Sequence, residues 1–151
     1  MAHVFISYSS QDEGLAQFIY RHLTAEAIGV FLAPVSLRPG DHWSTEIMNN
    51  LRGSTWVILL ASRAACQSPF VQQELGGAIY GGKKIIPVVW DMSPAELPGW
   101  AHQYQAVDLR GATPEAFSAR IGDIAKDIKG DINTGRLIIA IIFLALALAK
   151  R

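Results

Sequence analysis

With 151 residues, half of them apolar, the chain has enough material for one domain with a sizeable core. Its 13 basic and 13 acidic residues cancel, which excludes the strongly positive surface that nucleic-acid binding requires. One cysteine, Cys66, excludes an internal disulfide and suits a reducing compartment. The N-terminal MAHVFISY lacks the basic and then long apolar regions of a secretory signal, so a cytoplasmic location is expected.

His3–Tyr8, HVFISY, is a β-rich apolar run that suits a strand buried on both faces. Ser10 and Glu13 then have the spacing of a capping box. Leu15, Phe18, Ile19, His22 and Leu23 recur at helical spacing, which predicts a helix from about Asp12 to Ala27 that Gly29 ends. Ile28–Leu32 reads as a second strand. Ala33–Asp41, APVSLRPGD, has two prolines and a glycine and is turn chemistry. Asp41 can cap a helix in which Trp43, Ile47 and Leu51 share one side.

Trp56–Ala61, WVILLA, predicts a third buried strand. Ser68-Pro69 predicts a helix start, with a hydroxyl cap and a proline in the first turn, and Gly81-Gly82 its end. That helix carries Glu74, with Phe70 four residues earlier on the same side. Ile85–Trp90 predicts a fourth strand, in which Pro87 argues for an end or edge position. Asp91–Gln103 reads as a long loop and Ala106–Leu109 as a short last strand. Thr113-Pro114-Glu115 starts a final helix whose buried side is Phe117, Ile121, Ile124 and Ile128.

Five strands alternating with helices predict an α/β fold: an open, parallel, five-stranded sheet with helices on both faces, of flavodoxin-like type. Ligands in such sheets sit beyond the carboxyl ends of the strands, here Tyr8-Ser9-Ser10, Ala33-Pro34 and Ser62. The domain is expected over residues 1–130. Residues 131–151 are expected to form a linker and an apolar helix, Leu137–Ala149, flanked by Arg136 and Lys150-Arg151. Thirteen helical residues reach ~20 Å, short of a ~30 Å bilayer core, so the run suits a shallow or partial membrane anchor, the start of a segment that a longer chain would complete, or a buried self-association helix.

Several residues have two readings. Ser9 and Ser10 suit a helix cap as well as a pocket, Trp43 a core anchor as well as a stacking surface, and Arg38 a solvated cation as well as a phosphate or protein contact. Cys66 has no histidine in a dyad motif. The histidines at 3, 22, 42 and 102 lack ligand spacing, so no metal is expected.

Four motifs in order resemble the Toll/interleukin-1 receptor (TIR) domain, across about residues 1–130. FISYSSQD at 5–12 resembles its box 1, LRPGDHW at 37–43 its BB loop, ILLASRAACQSPFVQQEL at 58–75 its third strand and glutamate-bearing helix, and IIPV at 85–88 its next strand. The resemblance, closest to bacterial members, implies an NAD+-cleaving enzyme that releases nicotinamide and either ADP-ribose or a cyclic product, in antiphage or stress defence. NAD+ would be a substrate, with no cofactor needed. The resemblance places the catalytic carboxylate on Glu74, the aromatic before it on Phe70, pocket residues on Tyr8, Ser9, Ser10 and Trp43, and assembly into homo-oligomers or filaments on Val35, Leu37, Arg38, Pro39 and Gly40. Two departures stand out: Ala33 replaces the acid that often ends the second strand, and Phe70-Val71 replaces a Trp-Cys pair. A non-catalytic adaptor acting through the BB loop is the alternative reading.

Overall fold

The computed structural model describes residues 2–34, 45–67, 76 and 81–149. Five parallel strands, β1 (Val4–Tyr8), β2 (Val30–Pro34), β3 (Trp56–Leu60), β4 (Lys84–Val89) and β5 (Val107–Asp108), form one sheet in the order β2-β1-β3-β4-β5. This is the flavodoxin-like order, in which the chain reverses direction across the sheet beside β1. The register places Val4 beside both Val30 and Trp56, and Leu60 beside Val88.

Because side chains alternate along a strand, the two faces can be separated residue by residue. Val4, Ile6, Tyr8, Ile58, Leu60 and Val88 face α1 (Glu13–Ala25) and α4 (Pro114–Ala149). Those helices supply Ala16, Ile19, Leu23, Ile121, Ile124 and Ile128, and Phe18 meets Phe117 edge-on at 4.8 Å. Phe5, Val57, Leu59, Ala61, Ile85 and Val89 face the other way. They pack against Leu51 of α2 (Thr45–Gly53), Ala33, and Met92, Leu97 and Ala101 from the chain after β4.

Several sequence expectations shift. The first helix ends at Ala25, before Gly29 can act: Ala27 takes a left-handed φ of 59°, and Ile28 N–H donates to Leu23 O at 3.1 Å, closing the last turn. The second strand consequently starts at Val30 and runs through Ala33 and Pro34, residues expected in a loop. α1 begins at Glu13, with Asp12 at its N-cap making no side-chain cap bond, directly after a 3-10 turn over Ser10–Asp12, so the Ser10–Glu13 capping box does not form at its start. β4 is interior, yet the β5 ladder starts only at Val88, so at Pro87 the strand is still an edge on that side and loses no ladder bond there.

The expected linker at 131–136 is helical, because α4 continues unbroken from Pro114 to Ala149. Gly130 and Gly135 each cost roughly 1 kcal/mol of helix propensity, but helical neighbours on both sides and a bond from Thr134 Oγ1 to Gly130 O at 2.8 Å carry the helix through. Beyond Arg136 the helix leaves the domain: Leu137, Ile138, Ile139, Ile141, Ile142, Phe143 and Leu144 are all at least 52% exposed. Among the described residues no helix is long and apolar enough to cross a membrane. The membrane anchor expected from this run therefore has no support in the helix.

Candidate active site

The carboxyl ends of the strands bring three of the expected pocket residues to one edge. Tyr8 ends β1 but points into the α1/α4 side of the core, where 6% of it is exposed. Burial, with the Glu13 charge nearby, pushes its phenol above the usual range. Ser9 is almost buried, and its hydroxyl donates to Asp12 Oδ2 at 2.6 Å, pinning the turn that opens α1. Ser10 stands exposed on that turn. Glu74, Phe70, Trp43 and the BB-loop residues Val35, Leu37, Arg38, Pro39 and Gly40 lie outside the described residues.

Ser7, one position earlier, was not singled out in the sequence. By alternation it shares the Phe5 face, between Ala33 and Leu59 in register, and it is completely buried. Among the described residues its Oγ has no hydrogen-bond partner. A buried hydroxyl without a partner costs on the order of 1–3 kcal/mol. Ala33 and Ser7 are thus small neighbours in register, with Leu59 beside Ser7 and the small Ala61 just past the end of β3, and one polar atom is left unsatisfied among the described residues there.

Next to these residues the chain after β3 is held firmly. Ser62 caps the short helix α3 (Arg63–Cys66) by accepting from Ala65 N–H at 3.2 Å, so a helix starts six residues before the Ser68-Pro69 signal. Asp91, just after β4, accepts from Arg63 N–H at 3.2 and 3.3 Å. Arg63 returns a bond from Nε to Asp91 O at 3.2 Å and pairs through Nη2 with Glu96 Oε1 at 3.1 Å. Glu96 itself closes a capping box with Ser93 around a 3-10 turn at Pro94–Glu96. The Asp91–Gln103 stretch, expected to be an irregular loop, is therefore ordered at its start by a Ser-Pro-Ala-Glu sequence that carries the capping-box spacing and could have been read as such.

A cleft of about 320 Å³ opens between α3 and this turn, lined by Arg63, Cys66, Gln67, Met92, Glu96 and Pro98. Its one thiol is unsuited to nucleophilic work, because burial and the Asp91 charge push Cys66 up to about 11. Its one cation already faces two acids. The cleft therefore offers polarity and shape at the edge of the sheet. Among the described residues no three His, Cys, Asp or Glu side chains converge on a metal-sized site.

A parallel sheet of this order, with small and capped residues along its carboxyl edge, defines a doubly wound α/β domain with its binding edge beside β1 and β3. Within that class the chain belongs to the TIR domain family, whose model, described as "TIR domain", matches residues 4–122. The TIR domains of the activated Roq1 resistosome superpose with a TM-score of 0.67 at 19% identity, covering 85% of this chain and 99% of theirs. The TIR domain of the Toll-related receptor TRR-2 from Hydra magnipapillata gives 0.66 at 18% identity, with the same coverage. At such identities these likenesses speak for the fold. In sequence, the chain is 30% identical over 96 residues to the Brachypodium distachyon protein named "Probable 2' cyclic ADP-D-ribose synthase BdTIR". That match takes in 62% of this chain and 43% of the plant protein.

Proposed function

We propose that this TIR domain cleaves the bond between nicotinamide and ribose in NAD+, with Glu74 as the catalytic carboxylate. The observation that carries the reading is the 30% identity to a protein named as a probable 2' cyclic ADP-D-ribose synthase; the resemblance of the 58–75 stretch to the family's glutamate-bearing helix is what assigns the role to Glu74. The chemistry suits a site with a single carboxylate. The C1'–N bond breaks with its electron pair leaving on the pyridinium nitrogen, which becomes neutral, so no acid is needed to expel nicotinamide. The carboxylate binds ribose hydroxyls and stabilises the positive charge that develops on C1'. Attack by water then gives ADP-ribose and a proton; attack by a hydroxyl of the same molecule gives a cyclic product and a proton. Phe70 and Trp43 supply faces for the cationic ring, and Ser9 and Ser10 edge the pocket, while Tyr8 is turned into the core and holds the strand end in place.

The active form in this reading is a homo-oligomer or filament in which Val35–Gly40 of one copy completes the site of the next, and its setting is antiphage or stress defence. The test is nicotinamide release by the full chain across a range of concentrations. Release that rises more steeply than protein concentration is expected, with Glu74→Ala slower by ~100-fold or more. An equally active Glu74→Ala rules out this assignment.

One observation favours a second reading, a scaffold without activity. Ala33, fully buried in the apolar face, occupies the strand end where the family often has an acid, so one polar contact to a ligand is missing. That reading expects Pro39→His to abolish partner capture while Glu74→Ala leaves every phenotype intact.

A further inference from the structure

The amino ends of the strands, opposite the edge that carries Ser9, Ser10 and Ser62, hold two cavities of their own. α4 passes over this end of the sheet. On one side of it a cavity of about 260 Å³ has mainly apolar walls, from Trp56, Ile132, Gly135 and Ile139. On the other side lies one of about 190 Å³, with polar walls from Glu26, Lys129 and Asn133. His3, Ile132 and Arg136 line both, so the two adjoin. Together they reach the size of a small-molecule site, which starts at about 300 Å³.

The charges around these cavities are unevenly matched. Glu26 pairs with Lys129 at 2.8 Å, and Asp131 pairs with Lys84, whose Nζ also stands 5.0 Å from the Trp56 ring. Those four cancel. Among the described residues the Arg136 guanidinium meets no acid and the His3 ring has no hydrogen-bond partner, yet both border the two cavities. One surplus positive charge with a second ring donor suits a singly charged anion, and the guanidinium fork matches a carboxylate. Trp56 Nε1 is also buried without a partner among the described residues. It is closed off from the cavity surface, so the indole offers apolar ring and not its N–H.

We propose that these cavities form a second binding site, for a small amphipathic carboxylate. Its head lies between Arg136 and His3, and its apolar body lies along Trp56, Ile132 and Ile139. A dianion such as a phosphate monoester would leave one charge unmatched, and a neutral molecule would make no use of Arg136. The site is at the far end of the strands from the candidate NAD+ pocket, so it stands or falls independently of the NAD+ reading.

Octanoate titrated into the full chain and followed by amide NMR tests it. Saturable shifts are expected at Thr55, Trp56 and Ile132 and none at Ser9 or Ser62, with a dissociation constant of about 1 mM or tighter. Octanol has the tail without the charge, and acetate the charge without the tail. Each should bind at least ~10-fold more weakly than octanoate. Arg136→Gln should weaken octanoate binding ~10-fold or more and His3→Gln by less, both at the parent's thermal midpoint, because both side chains are exposed. Absence of saturable binding overturns the proposal, as do shifts centred on Ser9 and Ser62. So does octanol that binds as tightly as octanoate, or Arg136→Gln that binds octanoate like the parent, either of which would make the bare apolar side chains of α4 the target.

Discussion

The two faces of the sheet are built from the same five strands and differ in almost everything else. The α1/α4 face is filled by branched side chains from two long helices, Ile19, Leu23, Ile121 and Ile128 against Val4, Ile6 and Ile58, and it has the packing of a conventional core. The opposite face changes along its length. It is aromatic and branched at Phe5 and Val57, then small at Ser7, Ala33 and Ala61 toward the carboxyl edge. Among the described residues its cover there is a one-turn helix and a 3-10 turn tied by side-chain bonds to Arg63 and Asp91. One face therefore carries most of the branched packing, and the described edge of the other is held by short, locally tied elements.

Substitutions can break this division. Ile121→Ala, in the fully packed face, should have the largest effect, a loss of about 2–5 kcal/mol in denaturant unfolding with no specific effect on NAD+ turnover beyond loss of folded protein. Arg63→Ala should do the reverse. Its ion pair with Glu96 is exposed, so stability should fall by no more than about 1 kcal/mol, while the nicotinamide release proposed above should fall further than the folded fraction, because the α3 edge keeps its backbone N–H to the Asp91 carboxylate but loses the side-chain bonds to Asp91 O and Glu96. If Arg63→Ala costs as much stability as Ile121→Ala, the division is wrong.

Ser7→Ala sharpens the comparison, because a methyl in place of an unsatisfied hydroxyl should be neutral or stabilising by up to about 1 kcal/mol. A clear loss of stability would mean that the hydroxyl has a partner in solution. A smaller effect is expected at pH. Arg110 holds Asp108, at the end of β5, down to about 2, through a side-chain bond at 2.9 Å and a backbone bond at 3.1 Å. A carboxyl lowered on folding stabilises above its unfolded pKa of about 3.8, and that contribution disappears as pH falls from about 4 to about 2. Asp108→Asn should flatten the acid limb of the stability profile in that window.

Much of this fold is legible in the chain as written. β1, β3 and β4 are apolar runs buried on both faces, a pattern that needs no tertiary context, and the alternation of strand and helix then limits the topology to a few choices. Errors gather where a local signal competes with a longer-range one. Gly29 looked like the helix stop, but Ala27 takes the left-handed position because Ile28 must turn into the core two residues earlier. A linker was expected from residue 131, and a helix anchored by four core residues runs straight through it. At the candidate site, box 1 was legible as a strand followed by polar residues. That Tyr8 would point inward, and that Ser7 would carry the unsatisfied hydroxyl, depends on strand register relative to the two faces, which residue spacing alone does not set.

The environment of Cys66 has a practical consequence. With its sulfur half sunk beside Asp91 and its proton held to about 11, roughly one molecule in ten thousand carries the reactive anion at neutral pH. A second cysteine placed on a solvated turn would outcompete it by orders of magnitude for maleimide dyes. Fluorophores and spin probes can therefore be attached to the otherwise native polypeptide, and distances between protomers measured, without first deleting the natural thiol.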